Sequence, residues 1–238
     1  MMEQTKILFV DDDQAIRESV TSYLSNEQFE LLEASEGKEA IDIISATAVD
    51  LVLLDMMMPG MDGMTCLREI RYNFPALPVI ILTAKTDEID TLLALEMGAD
   101  DYITKPFSIR EVTARVKTLL RRKEVYKGTE VESSRGVEWI ERGPVSIDPA
   151  AFEVKVNGES LKLTPTEFTL LHTLAEKPER VFSRMQLLSR AMGDAYLQYD
   201  RSIDTHMSNL RKKLSDALGE KAPIVTVHGV GYKYGASS

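Results

Sequence analysis

The sequence predicts a doubly wound α/β unit built on a five-stranded parallel sheet, followed by a smaller unit of three helices and antiparallel strands. Three observations carry this reading. Over the first half of the 238 residues, short and continuously apolar runs alternate five times with amphipathic stretches. The segment KEVYKGTEVESSRG, starting at Lys123, is rich in charge and small residues and has no apolar period, as expected of a linker. Charge also changes across it: residues 1–123 hold 13 Lys+Arg against 22 Asp+Glu, net −9, whereas residues 143–238 hold 12 against 11, net +1. The expected division is 1–122, a linker over 123–137, and 138–238.

KILFV opens the first strand, and AIRESVTSYL follows with Ile16, Val20 and Leu24 spaced to bury one helix face. FELLEA, VDLVLLD, PVIILT and DYITK supply the other strands; KEAIDIISA, MTCLREIRY, DTLLALEMG and REVTARVKTLLRR supply the other helices. Strands that are apolar on both faces belong in a parallel sheet covered on both sides, a flavodoxin-like arrangement. Apolar stretches such as Leu51 to Leu54 and Val79 to Leu82 are far short of the ~20 residues that span a bilayer, so no membrane partner is expected. MMEQTK runs directly into ILFV without a signal-peptide pattern, and a cytoplasmic location is the expectation. A single cysteine, Cys66, and three scattered histidines, His172, His206 and His228, exclude a disulfide scaffold and a zinc site.

Ligands of such sheets bind beyond the carboxyl ends of the strands. There the sequence places Asp11, Asp12 and Asp13 after the first strand, Asp55 after the third, Thr83 after the fourth and Lys105 after the fifth. Singly, each has an ordinary reading: Asp13 as the N-cap of the next helix, Asp55 as a turn former, Lys105 as a solvated lysine. Together, the carboxylates require a hard cation, and an oxygen-rich, partly hydrated cluster suits Mg²⁺. A carboxylate in such a site can be the nucleophile toward a phosphoryl group, while an ammonium and a hydroxyl hold the transferred oxygens.

VDDD, LVLLDMMMPGMDG, VIILTA and GADDYITKPF closely resemble the receiver domain of bacterial response regulators over about residues 4–122. The resemblance implies that Asp55 is the phosphoacceptor, with Asp12 and Asp55 as direct Mg²⁺ ligands, Asp11 as a ligand through water, and the Met57 carbonyl completing the site. It assigns Thr83 and Lys105 to the phosphoryl oxygens, Tyr102 to an aromatic switch that follows Thr83, and a cis peptide to Lys105–Pro106. The Met57 side chain should be exposed, and its non-polar character is expected to affect the lifetime of the phosphate. Activated receivers of this kind pair through ion pairs, for which Asp100, Asp101, Glu111, Arg115 and Arg122 are placed. Thr91 stands where a cation is usual, which leaves Glu111 without its expected mate.

In the second half, VSI, FEVKV and ESLKL surround Asn157-Gly158, a strong two-residue hairpin signal, so a small antiparallel sheet comes first. Thr164-Pro165-Thr166-Glu167 and Ser183-Arg184-Met185-Gln186 are capping boxes that open two helices. A third, from Arg201 to about Ser215, puts Ile203, Met207, Leu210 and Leu214 on one stripe and leaves a polar, cationic outer face. IVTV, HGVG and YKY form a terminal hairpin, and three helices followed by such a hairpin describe a winged helix. LTPTEFTLLHTLAEKPERVFSRMQLL, DRSIDTHMSNLRKKL and VHGVGYKY resemble the effector domain of the OmpR/PhoB family over about 138–236. The resemblance places Thr205 and Asn209 at base edges, and Arg201, Ser202, His206, Ser208 and Arg211 at phosphates or in positioning. Lys212 and Lys213 add a general positive field. His228 occupies a wing position where arginine is usual.

The expectation is therefore a phosphorylation-dependent transcriptional regulator, acting as a switch with only self-catalysed phosphoryl transfer and dephosphorylation. The resemblance implies as partners a sensor histidine kinase, double-stranded promoter DNA, RNA polymerase, and a second copy of the chain on phosphorylation. Two rivals remain at this level. One is a HAD-like phosphatase using the Asp11-x-Asp13 pair, against which stand Ala15-Ile16 after the second Asp and no evident cap domain. The other is a phosphorylation-independent DNA-binding protein.

Overall fold

In the computed structural model of the chain, the described residues are 4–27, 29–84, 93–127, 139–193 and 201–235, with the side chains of 122–127 and 201 outside that set. The chain divides into two units, Met1–Leu120 and Arg121–Ser238.

In the first unit, β1 (Lys6–Val10), β2 (Glu30–Ala34), β3 (Leu51–Asp55), β4 (Val79–Ala84) and β5 (Asp101–Lys105) form one parallel sheet in the order β2-β1-β3-β4-β5. Alternate residues of each strand supply two cores. Ile7, Phe9, Leu51, Leu53, Ile80 and Leu82 pack with Val20, Leu24, Val112 and Val116 on one face. Leu8, Val10, Val52, Leu54 and Ile81 pack with Ile44, Leu67 and Ile70 on the other. Each buried aliphatic side chain contributes ~1.5–3 kcal/mol, which is why these strands are apolar without alternation. The helices are α1 (Gln14–Ser25), α2 (Gly37–Ala46), α3 (Gly63–Asn73) and α4 (Ile109–Lys127). Residues 93–96 are also helical, whereas Thr91 lies outside the described residues. Helix α4 continues past Arg122 to Lys127, inside the stretch read as linker. The physical reason is that Lys123 to Lys127 contain no glycine or proline; the first breaker is Gly128.

The loop after β3 is drawn tight by Gly63, where an added Cβ would lie 2.1 Å from the Asp55 carbonyl oxygen. Only glycine lets α3 begin this close to the end of β3. Asp62 caps that helix by accepting the Thr65 N–H.

The second unit begins with β6 (Ile140–Arg142), β7 (Val145–Asp148), β8 (Glu153–Val156) and β9 (Glu159–Ser160) in antiparallel order. Asn157 and Gly158 both have positive φ, 53° and 86°, as a type I′ hairpin requires. Helices α5 (Pro165–Glu176) and α6 (Arg184–Met192) both start with complete capping boxes. Helix α7 (Arg201–Leu218) buries Ile203, Met207, Leu210 and Leu214 as its pattern requires. Strands β10 (Phe182–Ser183), β11 (Ile224–Val227) and β12 (Gly231–Tyr234) pair in the order β10-β12-β11 and complete a winged helix.

Candidate functional site

The carboxyl ends of β1, β3, β4 and β5 bring Asp11, Asp55, Thr83 and Lys105 to one rim of the parallel sheet. Asp11, Asp55 and Thr83 are buried, and Asp12 is exposed at the mouth. One oxygen from each of Asp11, Asp12 and Asp55 lies within 4.8 Å of the others. The Lys105 ammonium is 2.8 Å from Asp11 Oδ2 and 2.9 Å from Asp55 Oδ2. The Lys105–Pro106 peptide is cis, as expected. Asp11 is itself oriented: its Oδ1 accepts the Asp13 N–H, and its carbonyl accepts a bond from Arg17.

An isolated ion pair lowers the carboxylate pKa and raises that of the ammonium, but Asp55 and Lys105 are both shifted upward. Burial raises Asp55, against the pull of Lys105 and the Met57 N–H, and the neighbouring Asp11 adds to the rise. Burial draws Lys105 down, and its bonds to Asp11 and Asp55 more than reverse that. Three carboxylates cluster here and Lys105 pairs with two of them, so the cluster is short of positive charge. An all-oxygen, partly exposed set with that deficit fits a divalent hard cation.

Asp13 accepts the Ala15 and Ile16 N–H groups and is the N-cap of α1. The structure thus gives Asp13 its ordinary role and deprives the Asp11-x-Asp13 phosphatase reading of its second acid. Thr83 donates to its neighbour's Ala84 carbonyl at 3.3 Å. Tyr102 is half-buried against the apolar core under β5. The Met57 side chain is 75% exposed, as anticipated.

Within the chain, most of the charged residues expected at an interface already have partners. Asp100 is 0% exposed and accepts from Arg71 at 2.8 Å and from the Val79 N–H at 3.0 Å. Asp101 and Arg115 are buried together at 3.1 Å. Glu111 pairs within its own helix with Arg115, one turn later, at 2.8 Å. The first two pairs are buried, where an unpaired charge is costly. The Arg122 side chain lies outside those described.

On α7, Ser208 and Lys212 are exposed, and Thr205 and Asn209 are half-buried, so this row faces outward. His228 is exposed in the turn 228–230 between β11 and β12. Two residues expected at DNA point inward instead. Ser202, 4% exposed, donates to Met192 Sδ, and His206 is 1% exposed. They flank Ile203 and Met207, so the inner face of α7 is wider than its aliphatic stripe. Arg211 is also committed: its Nε donates to the Ile224 carbonyl and its Nη2 to Thr226 Oγ1, tying α7 to β11. Lys213 pairs with the buried Glu167 at 2.6 Å. Asp204, Arg184 and Tyr232 converge beside the outward row, and sequence reasoning missed them. No spacing rule links residues so far apart; the one local signal was an acid in the first turn of a cationic helix.

Comparison with known proteins agrees with both halves. Residues 7–117 match the response regulator receiver domain, and residues 158–234 match the C-terminal domain of transcriptional regulatory proteins. The transcriptional regulatory protein BaeR of Escherichia coli O6:H1 is 42% identical over 233 residues, covering 98% of this chain and 94% of that protein. The DNA-binding response regulator MtrA of Mycolicibacterium smegmatis is 40% identical over 230 residues, covering 97% and 96%. Among solved structures, a cysteine-to-serine mutant of RitR superposes with a TM-score of 0.80 at 26% identity, covering 98% of this chain and 100% of that one. By its two domains and its end-to-end similarity to these regulators, the chain belongs to the OmpR/PhoB family of DNA-binding response regulators.

Proposed function

We propose that Asp55 accepts a phosphoryl group from the phosphohistidine of a sensor kinase, and that this transfer controls how the second unit binds promoter DNA. The observation that carries the proposal is Lys105 bridging Asp11 and Asp55 at the rim of three clustered carboxylates. Asp11, Asp12, Asp55 and the Met57 carbonyl would hold Mg²⁺, which when bound supplies positive charge to the phosphoryl oxygens.

An Asp55 oxygen attacks phosphorus; the P–N bond to the kinase imidazole breaks, its electron pair stays on nitrogen, and a P–O bond to Asp55 forms. Lys105 exchanges its Asp55 contact for a phosphoryl oxygen, keeping Asp11 as its second partner. The Thr83 hydroxyl turns from the Ala84 carbonyl to another phosphoryl oxygen, and Tyr102 moves into the space it leaves. Water later attacks the phosphorus at the same site, the P–O bond to Asp55 breaks and inorganic phosphate leaves, so dephosphorylation needs no second active site.

Thr205 and Asn209 serve base edges, and Arg201, Ser208, Lys212 and His228 serve phosphates. A second copy of the chain would exchange the Glu111–Arg115 pair for one across the interface, with Asp100 kept as an interior residue. The DNA-bound dimer then acts in the cytoplasm and presents a surface to RNA polymerase. Among the described residues, no helix is long and apolar enough to cross a membrane.

The test uses the full chain, Mg²⁺ and a small acyl phosphate donor, read by intact mass. Wild type should gain one phosphoryl group and Asp55→Asn none. Equal labelling of the two would overturn the assignment.

A further inference from the structure

The Asp204 carboxylate joins three elements of the second unit. Its Oδ1 accepts from the Tyr232 hydroxyl at 2.6 Å and from Arg184 Nε at 2.8 Å. Tyr232 belongs to β12, the central strand of the wing, and pairs with Phe182 of β10 and Thr226 of β11. Arg184 is the first residue of α6, and Asp204 lies in the first turn of α7. The Tyr232 ring carries two guanidinium groups, with Cζ of Arg184 and Arg211 at 5.3 and 5.0 Å from its centroid. Arg211 in turn bonds Thr226, the residue opposite Tyr232. The start of α7, the start of α6 and the wing thus meet at one phenol and one carboxylate.

The carboxylate is also on the outward row. Asp204, Ser208 and Lys212 follow one another at intervals of four residues, and the Asp204 side chain is 46% exposed. A negative charge there repels phosphate, and it occupies Arg184, which would otherwise be available to one. For a surface that binds DNA by charge alone, this arrangement is a loss.

We propose that Asp204 is a positioning residue that fixes α7 against the wing through Tyr232 and restrains Arg184, lowering the sequence-independent part of DNA affinity while sharpening discrimination among sequences. The proposal rests on the reading of α7 as the base-contacting helix. Two substitutions separate its two parts. Tyr232→Phe keeps the ring and removes the link. Asp204→Asn keeps an acceptor for the phenol and removes the charge, which frees Arg184.

The experiment first selects a duplex from a randomised library with the phosphodonor-treated wild-type chain. Affinities are then measured for that duplex and for poly(dI-dC), across a range of salt. Tyr232→Phe should weaken binding to the selected duplex about tenfold, the effect of one hydrogen bond to a charged group, and leave poly(dI-dC) nearly unchanged. Asp204→Asn should bind poly(dI-dC) more tightly, with a salt slope steeper by about one phosphate contact, and adding Arg184→Ala should cancel that gain. Asp204→Ala, compared with Asp204→Asn, breaks the same link with the charge removed in both, and this comparison replaces Tyr232→Phe if that variant fails to fold. Equal weakening on both duplexes, or none on either, would overturn the positioning role; an unchanged Asp204→Asn salt slope would overturn the restraint of Arg184. Failure of the wild type to select any duplex would overturn the base-contacting reading itself.

Discussion

The carboxylate rim of the first unit and the outward face of α7 in the second were equally apparent as patterns in the sequence, yet the rim's groups all meet, whereas the face of α7 keeps only part of its expected row. At the rim, each polar group ends a strand, so sheet topology alone brings Asp11, Asp55, Thr83 and Lys105 together. On α7, exposure depends on how far the helix is rotated and on what α6 and the wing place against it. Helical spacing alone did not show that Ser202 and His206 turn inward, or that Arg211 is held by β11. Backbone position is a sharper guide to chemistry than helical phase.

The largest expected effect is at the rim. Lys105→Ala removes the ammonium shared by Asp11 and Asp55 and should slow phosphoryl transfer to Asp55 by about 10²–10³-fold, the usual loss for one preorganised charge-stabilising donor. Rapid-quench labelling with a small acyl phosphate checks it. A rate within a few-fold of wild type would place the phosphoryl oxygens elsewhere.

Next comes the interior pair that had been assigned to an interface. Asp100→Ala leaves the mostly buried Arg71 guanidinium without its carboxylate, which should cost about 3 kcal/mol in urea unfolding, with or without phosphorylation. A variant that keeps its stability but loses dimerisation would restore Asp100 to the interface.

On the second unit, the contrast between inner and outer faces of α7 can be measured directly. Lys212→Ala should weaken DNA binding by a similar factor on every sequence and lower the salt slope by about one. His206→Ala should instead lower stability by about 1–3 kcal/mol, with the salt slope unchanged. The opposite pattern would return His206 to the DNA.

These comparisons also show what was legible beforehand. The five strands, both capping boxes, the type I′ hairpin and the apolar stripe of α7 are local features, each decided within a few residues. The extension of α4 to Lys127 was hidden because Lys123 to Lys127 carry no apolar period in the sequence. The partners of Asp100 and Asp204 were hidden because Arg71 and Tyr232 lie 29 and 28 residues away and meet them only through packing.

A smaller effect distinguishes the two units by pH. His172, stacked with Phe168 at 6.3 Å between ring centroids, has its pKa lowered by burial, with Arg190 pushing the same way and Glu176 opposing. The unfolded chain then takes up the proton more readily than the folded one. The second unit should therefore lose stability as pH falls through and below the free-histidine range near ~6.5, and be unaffected well above it. Urea unfolding of wild type and His172→Gln at pH ~7.5 and ~5.5 measures the difference. A wild-type loss no greater than that of the variant would exclude His172 as its source.

Coupling between the units is tested most directly by DNA affinity before and after phosphorylation. The duplex selected by the wild-type chain is titrated with wild type and Asp55→Asn, each with Mg²⁺ and with or without the acyl phosphate donor. Donor should tighten binding by wild type and leave Asp55→Asn where it was. Equal affinities for wild type with and without donor, in a preparation shown by mass to be phosphorylated, would contradict control by Asp55 and favour a DNA-binding protein that ignores its own phosphate.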